Sequence, residues 1–179
     1  MAFEKQLDIM CAGAFSVSND SDLKWVYFLD GLKDGDNNIA ALIRCNDMLR
    51  QTFADSEHYQ NYSVIMKNEL IFRKSGMVVG DKFFYDNYCT YQNTDFETWR
   101  KQSFEADTWQ LFPLEEIDTG EETLQAMTFS YPVRNYIQQE QEANAVVQFL
   151  LSKENLEQMF GQLLSRQGGI LIYDAEDRL

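Results

Sequence analysis

A segment dense in aromatic residues, 83–112, holds the side chains best suited to binding a small molecule. Its aromatic residues follow neither helical nor strand periodicity: Phe83, Phe84, Tyr85, Tyr88, Tyr91, Phe96, Trp99, Phe104, Trp109 and Phe112. Ligand pockets are mostly apolar and aromatic, with a few polar groups aimed at the ligand. Arg100, Asp95 and Asp107 are the candidates for such polar groups. An irregular segment also buries aromatic side chains simply to stay folded, and the residues alone leave both uses open.

We expect the pocket to lie between this segment and the strand face that bears Tyr131. The predicted lining residues are Trp99, Arg100, Trp109 and Tyr131. The planar guanidinium of Arg100 suits an anionic group such as a carboxylate, which it can bind through two hydrogen bonds. Tyr131 and the two tryptophans would supply apolar walls with polar tips.

The sequence offers little for catalysis. His58 is the one histidine, whereas a hydrolase triad or a histidine-based metal centre requires a histidine with partners. The motifs GxSxG, HExxH and GxGxxG and the P-loop do not occur. Two carboxylate pairs, Glu115-Glu116 and Glu121-Glu122, fall in one charged stretch that we expect to be a solvated loop. We therefore predict that the protein is not an enzyme and holds no metal and no cofactor.

The net negative charge of the chain argues against nucleic acid as a partner. The chain has 15 lysine and arginine residues against 29 aspartate and glutamate residues, a formal net charge of −14. Nucleic acids and anionic lipid surfaces bind clustered cations, because such binding releases counterions. The cations of this chain are scattered, so we predict no binding to nucleic acid.

The cysteines Cys11, Cys45 and Cys89 are widely spaced. No CxxC occurs, which argues against a zinc site or a thioredoxin-like redox pair. We expect three small, semi-buried apolar residues, while one disulfide remains open as an alternative.

The length suits a single domain, 1–179, with a helical part at 1–55 and a sheet-containing part at 60–179. Phe3, Leu7, Met10 and Ala14 recur at helical spacing and predict a long first helix. A second amphipathic helix is predicted with Ile39, Leu42, Ile43, Leu49 and Phe53 facing inward.

Short strand patterns dominate the rest of the chain. Strands are predicted around Tyr62, Ile71, Phe129, Phe149 and Leu171, with the first two joined by a hairpin at Asn68-Glu69. Short helices are predicted from Gly80-Asp81, from Thr94-Asp95 and from Ser152, and the stretch 75–113 otherwise appears irregular in pattern. Long N-terminal helices followed by antiparallel strands indicate an α+β fold, with a long N-terminal helix packed on a central antiparallel sheet.

No stretch approaches the roughly 18 uninterrupted apolar residues that a membrane-spanning helix needs. The N-terminus, MAFEKQLDIM, lacks the basic start and apolar run of a signal peptide. The chain closes on a strand pattern and the turn-like Asp174-Ala-Glu-Asp177, where a hairpin partner is expected. We expect this chain to be a fragment of a larger protein, with any membrane spans outside it.

The C-terminal half shows a succession of elements: a strand ending in Tyr131-Pro132-Val133-Arg134, a polar hairpin, an apolar strand at 143–151, a capped helix at 152–164, and an apolar strand leading into Asp174-Ala-Glu-Asp177. This succession resembles the second half of a Cache-type extracytoplasmic sensor domain. The N-terminal helix and the hairpin at Asn68 are similar to the first half of such domains, which have a PAS-like sheet. The likeness is greatest to the domains of membrane-anchored AraC-type transcription regulators of Gram-positive gut bacteria.

The resemblance implies a domain outside the cytoplasm that senses an unknown small molecule and signals across the membrane, with a helix-turn-helix in a part absent here. It also implies that Phe3, Leu7 and Met10 face either the sheet or a second protomer, as in a homodimer of the full-length protein. Trp99-Arg100 matches the amino-acid-binding motif of some Cache domains only in part, so the ligand is left open. The alternatives are the sensor domain of a histidine kinase or chemoreceptor, and a secreted carbohydrate- or peptide-binding module.

Overall fold

Three helices precede the first strand, and shorter helices are inserted among the later strands. The computed structural model describes residues 2–26, 35–54, 59, 61–134 and 143–164. Within them the elements are α1 (Ala2–Asn19), α2 (Ser21–Val26), α3 (Gly35–Thr52), β1 (Asn61–Met66), β2 (Leu70–Arg73), β3 (Gly76–Val79), α4 (Asp81–Tyr88), β4 (Thr90–Tyr91), α5 (Phe96–Glu105), β5 (Gln110–Asp118), β6 (Thr123–Val133), β7 (Ala145–Ser152) and α6 (Lys153–Leu164). The predicted α+β fold, a long N-terminal helix on a central antiparallel sheet, is confirmed.

The described strands form one sheet in the order β3-β2-β1-β7-β6-β5-β4, with antiparallel pairing throughout. The strands predicted at Tyr62, Ile71, Phe129 and Phe149 are confirmed as β1, β2, β6 and β7. The strand predicted at Leu171 lies outside the described residues. β1 pairs with β7, so the first and last described strands lie side by side at the centre of the sheet.

Strand alternation divides the core between two faces of the sheet. The side that carries Phe129 and Phe149, here called the α1 face, is covered by α1, α2, α3 and α6. The opposite side, here called the α5 face, carries Ile65 and Val146 and is covered by α4 and α5. On β6, for example, Phe129 belongs to the first core and Ala126 to the second. Each face therefore buries its own apolar core.

The helix faces predicted from the sequence are partly wrong. Met10 is buried on α1, and Leu7 packs against the same core, so this part of α1 faces the sheet side of the molecule. On α3 the predicted inward residues Ile39 and Ile43 are 55% and 56% exposed. The apolar residues of α3 cover a wider arc of the helix than the side that packs on the core. Cys45 lies on the side that packs on the core and is fully buried there, whereas Ile39 and Ile43 lie outside it.

The stretch 75–113 contains more regular structure than its sequence predicts, since β3, β4 and part of β5 fall within it. The expectation of a solvated loop at Glu115-Glu116 is also wrong, because β5 continues to Asp118 and pairs with β6. Glu115 is buried there, and its carboxylate accepts hydrogen bonds from the Asn93 N–H (3.0 Å) and the Thr94 hydroxyl (3.2 Å). Those bonds replace the water that a buried carboxylate loses.

Capping residues place α5 and α6 as predicted. The Asp95 carboxylate accepts a hydrogen bond from the Thr98 N–H (2.8 Å) and caps α5. The Ser152 hydroxyl accepts one from the Asn155 N–H (3.2 Å) at the start of α6. Both contacts satisfy amide groups that a helix N-terminus leaves without partners.

The turn between β5 and β6 folds over the α5 face and touches α4. Gly120 in this turn has a φ of +76°, a left-handed conformation that favours glycine. A Cβ atom at this position would overlap the carbonyl oxygen of Asn87 and lie 3.1 Å from Cδ1 of Tyr88. The backbone of the turn is thus in direct contact with the C-terminal end of α4, which only a residue without a side chain permits.

Candidate functional site

The sheet separates the four predicted site residues into two pairs. Trp99 and Arg100 belong to α5, whereas Trp109 stacks on Phe129 (5.6 Å between ring centroids) and Tyr131 packs against the core of the α1 face. The backbone layer of a sheet separates side chains on its two faces. The structure therefore does not bring the four residues together in one place, because α1, α2, α3 and α6 cover most of the face that bears Tyr131. Whether each of them binds a ligand stays a prediction.

Trp99 is the largest side chain buried on the α5 face, at 1% exposure. Its ring lies 5.4 Å from that of Tyr85, 6.0 Å from that of Phe96 and 6.1 Å from that of Phe84, measured between centroids. These separations are typical of packed aromatic pairs. The aromatic segment of the sequence therefore serves mainly as the core between α4, α5 and the sheet.

Arg100 forms an ion pair with Asp81 on α4. Its Nε lies 2.6 Å from a carboxylate oxygen of Asp81, and its guanidinium carbon lies 5.1 Å from the Phe104 ring centroid. Arg100 also borders a shallow groove of about 340 Å³ on the outer side of α5, together with Lys101 and Glu97. Through the contact with Asp81, this arginine joins α5 to the first turn of α4.

A row of polar side chains crosses the α5 face of the sheet. Ser130 on β6 lies opposite Gln148 on β7, Gln148 lies opposite Ser63 on β1, and Ser63 lies opposite Arg73 on β2. Ser130, Gln148 and Arg73 are all buried. Because directly opposite residues on neighbouring strands point to the same face, these four side chains form a continuous band, here called the polar row.

Helix α5 lies over the polar row. The amide Nε2 of Gln148 donates a hydrogen bond to the hydroxyl of Ser103 on α5 (2.9 Å), and both residues are buried. On the same face, the hydroxyls of Tyr91 and Thr128 lie 2.8 Å apart in a second buried contact. The α5 face thus combines aromatic walls with hydrogen-bonding groups, which is the composition of a ligand site.

Two buried polar atoms on this face lack partners. The indole Nε1 of Trp99 and the hydroxyl of Ser130 have no hydrogen-bond partner among the described residues. Leaving a buried donor or acceptor unsatisfied costs about 1–3 kcal/mol, which folding normally avoids. A bound molecule that gave either atom a hydrogen-bond partner would recover part of this free energy.

Burial keeps the Cys89 thiol and the Tyr91 hydroxyl on this face neutral. Burial raises the pKa of the Cys89 thiol to about 12 and raises the pKa of the Tyr91 hydroxyl well above its ordinary value. Both groups are therefore protonated at neutral pH. The buried charges of this face belong to Arg73 and Glu115.

None of the helices in the described part of the chain is long and apolar enough to cross a lipid bilayer. In the same residues, no three or more His, Cys, Asp or Glu side chains are grouped so that they could hold a metal ion. His58, Asp174 and Asp177 lie outside the described residues. Cys11, Cys45 and Cys89 are free thiols, the last two buried, as expected for small apolar residues.

Sequence reasoning missed the polar row, although β6 carried a signal for it. Thr128 and Ser130 alternate with Met127, Phe129 and Tyr131, so a polar side of this strand is visible in the sequence. Gln148 gave the second signal, as the one polar residue in the run 145–151. Neither signal shows that the polar sides of two distant strands lie next to each other.

Comparison with known proteins gives a likeness in structure and none in sequence. No family model and no curated protein matches the sequence. Among solved structures, the chain is similar to the periplasmic sensory domain of the Campylobacter jejuni chemoreceptor Tlp1, with a TM-score of 0.49 and 12% sequence identity. The match covers 97% of this chain and 63% of that one, so the chain spans less than two thirds of the sensory domain it is similar to.

Proposed function

We propose that this chain is an extracytoplasmic domain that senses a small molecule for a transmembrane signalling protein. The observation that carries the proposal is the pair of buried, unpartnered polar atoms, Trp99 Nε1 and Ser130 Oγ, on the α5 face. They lie on the face that combines the aromatic cluster with the polar row, and a ligand that reaches this face could give either atom a partner. The sequence resemblance to Cache-type sensor domains supports the location outside the cytoplasm.

The ligand proposal is tested by a thermal-shift screen of amino acids, organic acids and short sugars. A ligand that binds only the folded protein raises its stability by RT ln(1 + [L]/Kd), about 2.7 kcal/mol at a hundredfold excess over Kd. Ser130→Ala and Trp99→Phe remove the two unpartnered atoms, so each should weaken a hit. Tyr62→Phe is the matched control, because it removes an unpartnered buried hydroxyl from the α1 face. A hit that is insensitive to both α5-face variants, or equally sensitive to the control, would refute this site.

For the output we propose a transcription regulator, on the sequence resemblance alone. The full gene should then encode a membrane span on each side of this domain and a helix-turn-helix beyond the second span. A kinase or methyl-accepting region in that place would replace the regulator by a histidine kinase or chemoreceptor and leave the sensing proposal intact. In the full-length protein we expect a homodimer and no catalytic activity of this domain.

One observation favours a second candidate, a secreted carbohydrate-binding module. Trp109 is 44% exposed while its ring stacks on Phe129, which makes a flat aromatic platform of the kind that sugars stack on. Quenching of tryptophan fluorescence by oligosaccharides, lost in Trp109→Ala, would support this module. A signal peptide without a second membrane span in the full gene would do the same.

A further inference from the structure

Arg73 lies at the β2 end of the polar row and is almost completely buried. Its side chain is 6% exposed, and its guanidinium carbon lies 3.9 Å from the centroid of the Tyr88 ring on α4. A buried cation is costly unless an anion and hydrogen-bond acceptors compensate for the water it loses. The buried Arg73 therefore needs an anion or hydrogen-bond acceptors close to its guanidinium group.

The compensation within the described residues is weak. The one anionic partner there is Glu121, in the turn between β5 and β6, with an N–O distance of 3.6 Å, which is longer than a hydrogen bond. The Glu121 side chain is 73% exposed, so water already solvates most of it. Arg100 shows the contrast, because its contact with Asp81 is 2.6 Å and that carboxylate is 13% exposed.

The geometry leaves the hydrogen-bonding edge of Arg73 available. The guanidinium carbon lies over the face of the Tyr88 ring, and a cation held in this way can still use its N–H groups to bind an acceptor. Ser63, the next residue of the polar row, lies opposite Arg73 on the same face of the sheet. Two parallel N–H groups match the oxygens of a carboxylate or a phosphate.

The contact with Glu121 also joins parts of the sheet that are not neighbours. Arg73 is on β2 and Glu121 follows β5, while β1, β7 and β6 lie between these strands in the sheet. The turn reaches Arg73 because it folds over the α5 face, with Gly120 against the backbone of α4. Releasing Glu121 would therefore free one end of this turn from β2.

We propose that Arg73 binds an anionic oxygen group of the ligand, and that Glu121 occupies its place in the ligand-free protein. The inference rests on the proposed function and specifies the ligand as a small organic anion, such as a carboxylate or a phosphate ester. Its binding displaces an internal carboxylate and detaches the β5–β6 turn from β2. Ligand binding is thereby linked to a movement of that turn.

The first test uses Glu121→Gln, a surface change that removes the internal competitor. The probes are acetate and inorganic phosphate, titrated in thermal-shift experiments against sodium chloride at equal ionic strength. A long ion pair with a mostly solvated carboxylate contributes about 0.2–1 kcal/mol, so the apparent Kd of the probe should fall by up to about fivefold. Glu116→Gln is the control, because it makes the same change in net charge at an exposed position of β5 and should leave the Kd unchanged. Equal Kd values for the wild type and Glu121→Gln would overturn the proposal.

The second test removes the cation. Arg73→Gln should abolish the saturable response to both probes, and Arg73→Lys, which keeps the charge without the planar fork, should retain part of it. Circular dichroism establishes that each variant is folded, and the Glu121→Gln comparison stands even where Arg73→Gln does not fold. A response that persists in folded Arg73→Gln contradicts the proposal.

The outcomes separate this inference from the function on which it rests. A neutral ligand from the screen, sensitive to Ser130→Ala and indifferent to changes at Arg73 and Glu121, would leave the sensor proposal standing and refute the anion site. Saturable binding of the probes at Arg73, with no organic ligand that responds to Ser130→Ala, would support the anion site and refute the sensing role.

Discussion

Replacing Gly120 by alanine tests whether the β5–β6 turn is held against α4 as the structure describes. The added Cβ would overlap the carbonyl oxygen of Asn87, which is backbone and cannot rotate away as a side chain can. The glycine also has a φ of +76°, which alanine adopts with strain. We expect Gly120→Ala to destabilise the fold strongly.

The loss in free energy of unfolding that we expect for Gly120→Ala is the sum of two contributions. A left-handed conformation costs a residue with a side chain about 1–2 kcal/mol. Overpacking against a neighbour that has to shift costs about 1–3 kcal/mol more. Gly120→Ala should therefore lower the free energy of unfolding by about 2–5 kcal/mol, which is about 4–20 °C in Tm for a domain of this size.

Gly80→Ala is the matched control, because it separates the overlap from the backbone strain. Gly80 has a φ of +95°, and a Cβ there would meet only the Cβ of Phe83 at 3.6 Å, an ordinary contact. Its ψ of 111° places Gly80 outside the left-handed helical region, so this variant should lose only the backbone strain, about 1–3 kcal/mol. Urea unfolding followed by circular dichroism gives both values. If Gly120→Ala is no more destabilising than Gly80→Ala, the turn does not contact α4 as described.

Three further outcomes are expected. Iodoacetamide at pH 8 should alkylate half-buried Cys11 well before Cys89, whose pKa burial raises to about 12, as peptide mass spectrometry would show. Leu49→Ala should cost about 2–5 kcal/mol in urea unfolding, whereas Ile43→Ala at an exposed site should change stability by about 0.5 kcal/mol or less. Hydrogen bonds from Thr98 lower the pKa of the Asp95 carboxyl, so its stabilisation is present above the ordinary pKa and lost as the pH falls through the folded-state value. The Tm difference between Asp95→Ala and the wild type should accordingly shrink below about pH 3.9, and a difference independent of pH would contradict the capping role.

Local patterns in the sequence were sufficient for many of the elements. Asp95 and Ser152 are capping residues whose effect is confined to one helical turn, and both cap the helices that were predicted from them. The alternation of residues 127–131 in the sequence matches the structure, where Phe129 and Tyr131 lie on one side of β6. Such signals depend on a residue and its near neighbours in the chain, so they can be read without the fold.

Elements whose stabilisation comes from distant residues were not predictable in this way. Strand β5 contains Pro113 and Glu115, which are unfavourable in a strand, yet pairing with β6 and the hydrogen bonds to the loop at Asn93 and Thr94 stabilise it. Ile39 and Ile43 fit an inward face as well as Leu42 does, and only the position of α3 on the core leaves them exposed.

In the candidate site, too, some features could be predicted from local sequence and others could not. Residue types and their alternation along a strand are visible in the sequence, including Ser130 on the polar side of β6. The pairing of β1 with β7 and of β7 with β6, which aligns Ser63, Gln148 and Ser130, is visible only in the fold, as is the packing of α5 on this face. Alternation fixes the relative side of residues within one strand, whereas the order of strands and the face on which a helix packs depend on the burial of apolar surface over the whole chain.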